Sequence, residues 1–480
     1  MDLRQWLVKV ESMGDLRIVE GAHNEKEIGG IVDLYQRKMG LPALLFDKIP
    51  GYPEGYRILA NSTTSLKRIA LSFGLSKDTK EIELVEYWRK YLKNFKIIPP
   101  QVVRKGSIQE NTYQGDEVDI MKFPTPLWHE HDGGRFIGTG CMVIMKDPDS
   151  DWVNFGAYRV QVYDKNTASV MISKGKHGHI IMEKYFKQDK VCPVAVVAGE
   201  HPLLFMISGM EIPYGVGEYD VVGGLTGAPV NVIKGPITGL PLPAEAEIAL
   251  EGYISPNDTI EEGPFGEWTG YYASGVRNQP KIQVKSLLHR NDPIILGAIP
   301  TVPPSDDTYY RGFLRSAAIW SEIENAGVPG IQGVWCHEAG GGRMWTTVSI
   351  KQMYPGHSKQ AGLIASQCHA GAYANRYTIV VDDDINPSNI DQVIWAMCTR
   401  TDPRIDVDIL HGCWSTALDP MSYPEDKKVL NSRLVINSCI PYHKKDRFPK
   451  IAESSPELKE KIIKDWPELF PPEILQQIQL

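Results

Sequence analysis

Apolar positions in the first hundred residues recur at helical and strand periods in turn. Leu3, Leu7 and Val10 share one helical face with Trp6 beside it, and the spacing predicts a second helix over Glu25–Met39. Pro42–Phe46 is a short continuous apolar run, as in a buried strand, while Ser62–Leu71 and Lys80–Leu92 read as amphipathic helices. Ile97–Gln101, with two adjacent prolines, reads as a linker. Residues 1–100 are therefore expected to form an N-terminal α/β region.

Beyond 101 the runs shorten. Cys141–Met145 and Trp152–Tyr163 flank the turn cluster Asp147–Asp151, and Val194–Val197, Val230–Val232, Glu247–Ile254, Lys281–Leu287 and Pro293–Ile299 follow as candidate strands. Short strands punctuated by Gly and Pro predict a barrel or sandwich over 101–305 in preference to a doubly wound sheet. Helix and strand then alternate again: helix Gly312–Asn325, strand Arg343–Ile350, helix Lys359–Gln367, strand Tyr377–Val381 and helix Asn389–Arg400. Proline-bounded amphipathic helices are expected over Ser455–Lys464 and Pro472–Leu480, completing a third part over 306–480. The fold class expected is a multidomain α+β or α/β chain.

Composition narrows the function more than the fold. The 480 residues carry 42% apolar and 23% charged side chains, ordinary globular values that allow about three domains. A net charge of −8, with no basic run interleaved with aromatics, argues against a nucleic-acid surface. The N-terminus has an early acid and no long apolar core, and runs such as Pro193–Ala198 are of strand length, so neither a signal peptide nor a membrane span is expected. Seven cysteines, odd in number and without close pairs, fit reduced thiols in a cytoplasmic protein.

One stretch stands out against this background. Glu261–Tyr272 reads Glu-Glu-Gly-Pro-Phe-Gly-Glu-Trp-Thr-Gly-Tyr-Tyr, a loop forced by its glycines and proline. Glu262 and Glu267 are interleaved with Phe265, Trp268 and two tyrosines, a setting that would exclude water and raise a carboxyl pKa. The same residues also suit an ordinary turn with solvated glutamates, and the stretch alone does not choose. Its place between two predicted strands puts it at a barrel mouth.

Other polar clusters are read more plainly. His129–Asp132 lacks the spacing of a helical metal motif and reads as a polar turn. The glycine-dense Ala339–Arg343 matches neither common phosphate-loop spacing and reads as an interdomain turn. Asp382–Asp384 ends a strand before a helix and reads as an acidic helix cap. Asn154 and Arg159 lie in one predicted strand at odd separation, so Gly156 is expected to supply a bulge that re-aims one of them. Lys174–His179 is a basic glycine-containing loop suited to an anion, and Glu218 is a lone carboxylate among aromatics and glycines.

Asn154 and Arg159 in one strand, His177 in its loop, Glu218 ahead of Gly224–Gly227, and the Glu262–Glu267 loop occur in an order and spacing that resembles the UbiD family of reversible decarboxylases. The likeness covers essentially the whole chain. It implies prenylated FMN held by a split β-barrel, with a C-terminal oligomerisation domain and a homo-oligomer of two to six chains. It implies Asn154, His177 and Glu218 as ligands of a divalent metal, Mn²⁺ or Mg²⁺, that bridges to the flavin phosphate, with K⁺ as a further cation. Arg159, Glu262 and Glu267 then match a catalytic Glu-Arg-Glu network, with Glu267 as proton donor and Glu262 kept ionised by Arg159. Gln161, Lys176 and His369 are expected near the cofactor, His369 or Lys359 standing where relatives place a phosphate-binding lysine.

The implied reaction is non-oxidative decarboxylation of an aromatic or α,β-unsaturated acid through a covalent adduct with the flavin, which serves as electron sink. The partners implied are the acid, CO₂ and a flavin prenyltransferase that supplies the cofactor. Pro300–Asp307, Trp335–His337 and His411–Trp414, which includes Cys413, are expected to line the substrate pocket. Two other readings compete: a carboxylase of phenolic or aromatic rings, and a plain flavin-binding module or FMN oxidoreductase. The last has no use for two glutamates and an arginine at the flavin.

Overall fold

Leu3–Ser12 forms the first helix and buries Leu3, Trp6, Leu7 and Val10 on one face. The Asp2 carboxylate accepts from the Arg4 amide at 2.7 Å, satisfying a donor that a helix start leaves open. The computed structural model describes residues 2–422, 429–471 and 474–475. Met1–Cys439 form one compact unit and Ile440–Leu480 a second. Among the described residues of the first unit, the strands make four sheets. The architecture is a mixed α/β multidomain fold, as the alternating patterns predict.

A four-stranded sheet runs Leu16–Glu20, Ala43–Asp47, Arg57–Ala60, Ile294–Leu296. Its last member is the strand expected over Pro293–Ile299. It leaves the central β region and pairs in parallel with Arg57–Ala60. Ile294–Leu296 is buried at every position, so its pattern fits either sheet and reveals neither partner.

The central sheet follows the path Arg135–Gly138, Val160–Val162, Thr167–Val170, Arg277–His289, Ile248–Glu262, Cys192–Ala198, Cys141–Lys146, Val153–Gly156. Asn111–Gln114 adds to it alongside Arg277–His289. Gly156 ends the last strand of this path, and Val160 begins the second, with only Ala157, Tyr158 and Arg159 between them. Laid flat, strands six places apart stand about 29 Å from one another. Four Cα steps reach at most about 14 Å. The sheet therefore curls until its ends approach, forming an open barrel. The Cys141 thiol donates to the Tyr158 carbonyl at 3.2 Å within this crossing.

This geometry corrects the single bulged strand expected over Trp152–Tyr163. The chain finishes one strand at Gly156 and starts another at Val160, so Asn154 lies in the last strand of the path and Arg159 in the crossing that leads to the second. The long pair Ile248–Glu262 and Arg277–His289 is a hairpin whose last register pair is Glu262 with Arg277. The aromatic loop forms its tip, between two strands as predicted.

A five-stranded sheet, in order Ile331–Cys336, Trp345–Ile350, Tyr377–Asp382, Leu430–Ser438, Val407–Trp414, carries the C-terminal part of the first unit. Its long helix, Asp306–Asn325, starts a turn and a half before the predicted Gly312. Asp306 is buried and accepts from the Asn61 amide at 3.0 Å, the Thr63 amide at 2.7 Å and the Gln36 side chain at 2.9 Å. That helix start is thereby tied to the N-terminal segment. Asp382–Asp384 does not cap the next helix. Asn389 caps Ile390–Arg400, and the Arg400 guanidinium comes back to Asp384 at 2.6 Å and Asp382 at 3.5 Å.

In the second unit, Pro456–Asp465 is helical with Ser455 as its cap, close to the predicted span. The helix expected over Pro472–Leu480 lies outside the described residues except for Ile474 and Leu475. All seven cysteines are free thiols. Among the described residues no helix is long and apolar enough to cross a membrane.

Candidate active site

The loop at the hairpin tip is built against a second turn. Gly263 follows the last strand residue, Glu262, with φ +83°, and its amide donates to Gln161 Oε1 at 3.0 Å. Gly133 presses on it so closely that a Cβ there would stand 1.8 Å from the Gly263 carbonyl oxygen. The Gly133 amide donates to Pro264 O at 2.8 Å, and Gln161 Nε2 donates to Gly133 O at 3.2 Å. Gln161 thus spends both ends of its amide joining two glycine turns. The His129–Asp132 segment is the polar turn expected: Asp132 accepts from the His129 amide at 3.0 Å and from the Tyr272 hydroxyl at 3.0 Å.

The aromatics divide between wall and surface. Phe265 and Trp268 are buried, Phe265 against Phe136 at 4.2 Å between ring centroids. Tyr271 is exposed and takes no part in the wall. On the inner side Arg159 lies 5.5 Å from the Phe265 ring centroid. Its Nε and Nη2 donate to Glu262 Oε1 and Oε2 at 2.7 and 3.0 Å, and its Nη1 donates to Glu267 Oε1 at 2.9 Å.

Burial sets the electrostatics of this trio. It raises the Glu267 carboxyl pKa above the ordinary value, against the opposing charge and hydrogen bond of Arg159 and with reinforcement from Glu262 and Asp307. For Arg159 burial works toward a lower pKa, but the Glu262 bonds and the two carboxylate charges outweigh it, and the net shift is upward.

A second cluster lies at the other strand end. Asn154 Nδ2 donates to Glu218 Oε1 at 2.6 Å, and the Phe155 amide donates to Glu218 Oε2 at 2.9 Å. Glu218 opens a helix, Glu218–Thr226, unexpected from its glycines. Gly223 and Gly224 are needed there because a Cβ would stand 2.2 Å from Ile98 O or 1.8 Å from Lys96 O. Burial pushes the Glu218 pKa up to about 8. His177 is the first residue of the helix His177–Phe186, not part of a loop, with its ring against Trp152 at 5.1 Å and Tyr214 at 5.6 Å. Tyr158 links the two sides: its hydroxyl accepts from the Gly178 amide at 3.3 Å, and its pKa is pushed to about 12 by burial, with Glu218 adding to the rise.

The donor set fits a hard divalent cation. Asn154 Oδ1 is buried without a hydrogen-bond partner, leaving an amide oxygen available beside a buried carboxylate. Burial, then the charge of Lys176, lowers the His177 pKa and favours the neutral ring that binds metal. Asn154 and Glu218 are in direct contact, and the residue after His177, Gly178, is the one that meets Tyr158.

The remaining expected positions are scattered. Lys176 pairs with Glu211 at 3.2 Å, and Lys359 with Asp408 at 2.8 Å. His369 begins a short helix with its ring 6.2 Å from Trp414. Of the expected pocket segments, 300–303 meets the loop, since Gly266 and Gly270 pack on Pro300 and on Val302 with Pro303. Trp335 and His337 are buried, the first bonded to Glu338 at 3.3 Å and the second to Pro387 O at 3.0 Å. Arg343, which lies 5.1 Å from the Trp268 ring centroid, was not anticipated. Its only signal in the sequence is the glycine run that precedes it.

The open barrel thus sets an Arg–diglutamate network at its strand crossing and a buried amide–carboxylate pair at the strand that leads into it. The chain belongs to the UbiD family of decarboxylases. It matches the 3-octaprenyl-4-hydroxybenzoate carboxy-lyase N-terminal domain over residues 7–88, the Rift-related domain over 101–303 and the C-terminal domain over 308–438. It is 33% identical to the pyrrole-2-carboxylic acid decarboxylase of Pseudomonas aeruginosa over 460 residues, 92% of this chain and 91% of that protein. The vanillic acid decarboxylase of Sedimentibacter hydroxybenzoicus, in its open form, superposes with a TM-score of 0.85 at 27% identity, covering 97% of this chain and 99% of that one. An evolved dimeric form of HmfF from Pelotomaculum thermopropionicum, in complex with prFMN, gives 0.82 at 25% identity over 97% and 99%.

Proposed function

We propose that this protein decarboxylates an aromatic or α,β-unsaturated carboxylic acid, reversibly and without net oxidation, using prenylated FMN. The observation that carries this reading is the single guanidinium of Arg159 held by two carboxylates, at 2.7 and 3.0 Å from Glu262 and at 2.9 Å from Glu267. Glu262 fixes the arginine. Glu267 keeps Oε2 for a proton, and its pKa, raised by burial, suits a general acid. Phe265 and Trp268 keep water from the reacting carbon.

Asn154, His177 and Glu218 would hold Mn²⁺ or Mg²⁺ against the cofactor phosphate, and residues 101–305 would carry the flavin. When bound, prenylated FMN supplies the electron sink for the carbon that loses CO₂. The named activities of the relatives support a single-ring substrate of the pyrrole or phenolic class. A flavin prenyltransferase would supply the cofactor in the cytoplasm, and residues 306–480 would join chains into a homo-oligomer.

Expression with and without a flavin prenyltransferase, followed by mass spectrometry of the extracted flavin and assays of ring acids, tests the reading. Turnover should appear only in protein carrying the prenylated flavin. Full activity with unmodified FMN would overturn it.

A further inference from the structure

The glycine run Ala339–Arg343, expected as an interdomain turn, instead joins two paired strands of the five-stranded sheet, Ile331–Cys336 and Trp345–Ile350, and its packing builds a charged site. Gly341 and Gly342 have φ of +67° and +64°, and a Cβ on them would stand 2.6 Å from the Trp268 ring and 2.4 Å from the Thr308 carbonyl oxygen. The turn is wedged between the active-site loop and the helix Asp306–Asn325. It delivers Arg343 to 5.1 Å from the ring centroids of both Trp268 and Tyr373. On the helix, Arg311 and Arg315 are four residues apart and project from one face.

The charges there do not balance: the Glu211 carboxylate reaches Arg311, Arg315 and Arg343 only through its field and is itself paired with Lys176 at 3.2 Å. Asp307 pairs with Arg311 at 3.3 Å, and Arg315 donates to the Ala370 carbonyl at 2.6 Å. Among the described residues neither Arg315 nor Arg343 has a carboxylate in an ion pair. Burial, then the charges of Arg315 and Arg311, lower the Arg343 pKa. Guanidinium does not give up its proton in proteins, so crowding of this kind is relieved by an anion. The location is beside the reacting groups: Trp268 adjoins Glu267, and the charge of Asp307 reaches the Glu267 carboxyl.

We propose that Arg311, Arg315 and Arg343 form a carboxylate-binding site for a second acidic group of the substrate, one that stays on the ring when the first leaves as CO₂. The inference rests on the decarboxylase reading above. A planar guanidinium stacked on an aromatic ring retains its outer N–H groups for bidentate contact with a carboxylate. The cofactor phosphate, in that same reading, has its own cation at Asn154, His177 and Glu218. The substrate class is thus an aromatic dicarboxylate.

Calorimetry on cofactor-loaded protein with pyrrole-2-carboxylate and pyrrole-2,5-dicarboxylate tests this. The diacid should bind at least about tenfold more tightly, the scale of one charge-assisted hydrogen bond. Arg343→Gln should bring the ratio of the two affinities close to one. Arg343→Lys, which keeps the charge and loses the fork, should give an intermediate ratio and serves if the glutamine variant does not fold. A wild-type ratio near one overturns the site. So does an Arg343→Gln protein that loses flavin while keeping the ratio, which would give the arginines to the cofactor phosphate. If the ratio is as expected and neither acid is decarboxylated, the site stands and the decarboxylase reading falls. Decarboxylation of the monoacid with a ratio near one removes this inference alone.

Discussion

Glu262 and Glu267 hold the same guanidinium by unequal means. Glu262 accepts from Arg159 through both oxygens and its side chain is 1% exposed, whereas Glu267 accepts through one oxygen and is 12% exposed. Among the described residues Glu267 Oε2 has no partner. Two carboxylates five residues apart in a single loop are thereby given separate work. One is spent on holding Arg159, and the other has an oxygen left to carry a proton.

Asp307 should tune that proton. Its charge helps raise the Glu267 pKa, and it neutralises Arg311 at 3.3 Å. Asp307→Asn removes the negative charge and leaves Arg311 unbalanced, and both changes lower the Glu267 pKa. The acid form of the donor is present below its pKa and lost as pH rises through it. The high-pH limb of kcat should therefore move to lower pH in Asp307→Asn. A pH–rate profile in which the limb stays or moves upward would show that another group titrates there.

The two glutamates that hold Arg159 were legible because their signals are local. Glycines and a proline around Glu262 and Glu267 mark a loop whatever surrounds it, and buried aromatics beside a carboxylate have few uses. Arg159 was legible only through family likeness, since alternation placed it in one strand with Asn154 and gave no hint that the chain crosses the barrel opening between them. Glu218 looked like a loop residue because Gly223 and Gly224 disfavour a helix; the close backbone of Lys96 and Ile98 that demands those glycines is remote in sequence. Ile294–Leu296 carried no sign of its sheet, being apolar on both faces. Arg343 owes its place to a turn packed between two distant elements, which no window along the chain contains.

The proposed metal ligands make a separable prediction. Glu218→Gln keeps the side-chain shape and still offers an acceptor to Asn154 or Phe155, but it removes the charge that balances a cation. Metal and flavin should both be retained at least about tenfold less well, the scale seen when the surroundings of a metal site are altered. Elemental analysis and flavin absorbance per chain, read beside the melting temperature, check this. A folded variant that holds both as firmly as wild type would remove Glu218 from the ligand set.

Assembly offers a third test. Leu469 and Ile474, beyond the helix Pro456–Asp465, are 59% and 38% exposed in the single chain. Apolar side chains so placed are expected to be covered by a neighbouring subunit. Truncation after Asp465 should lower the mass seen by light scattering. An unchanged mass would assign the subunit contact to another surface.

The strongest prediction concerns Glu267 itself. A carbon that has lost CO₂ needs one proton at one position, and Arg159 is poorly suited to give it, because the bonds of Glu262 and the charges of both glutamates hold its proton more tightly than usual. Glu262 has no oxygen to spare. Glu267 has a free oxygen, a pKa raised first by burial, and an aromatic wall that keeps water from doing the same work. Glu267→Gln preserves volume and can still accept from Arg159, so the network and substrate binding should survive. The transferable proton is gone, and turnover should fall by roughly 10²-fold or more, the usual contribution of a general acid. Deuterium incorporation from solvent at the former carboxyl carbon should fall with it, because exchange uses the same donor without requiring CO₂ release. In wild type both rates should share one high-pH limb, and in Glu267→Gln that limb should vanish from whatever activity is left. Exchange at the wild-type rate in Glu267→Gln would assign the proton to another group and leave Glu267 as a second anchor for Arg159.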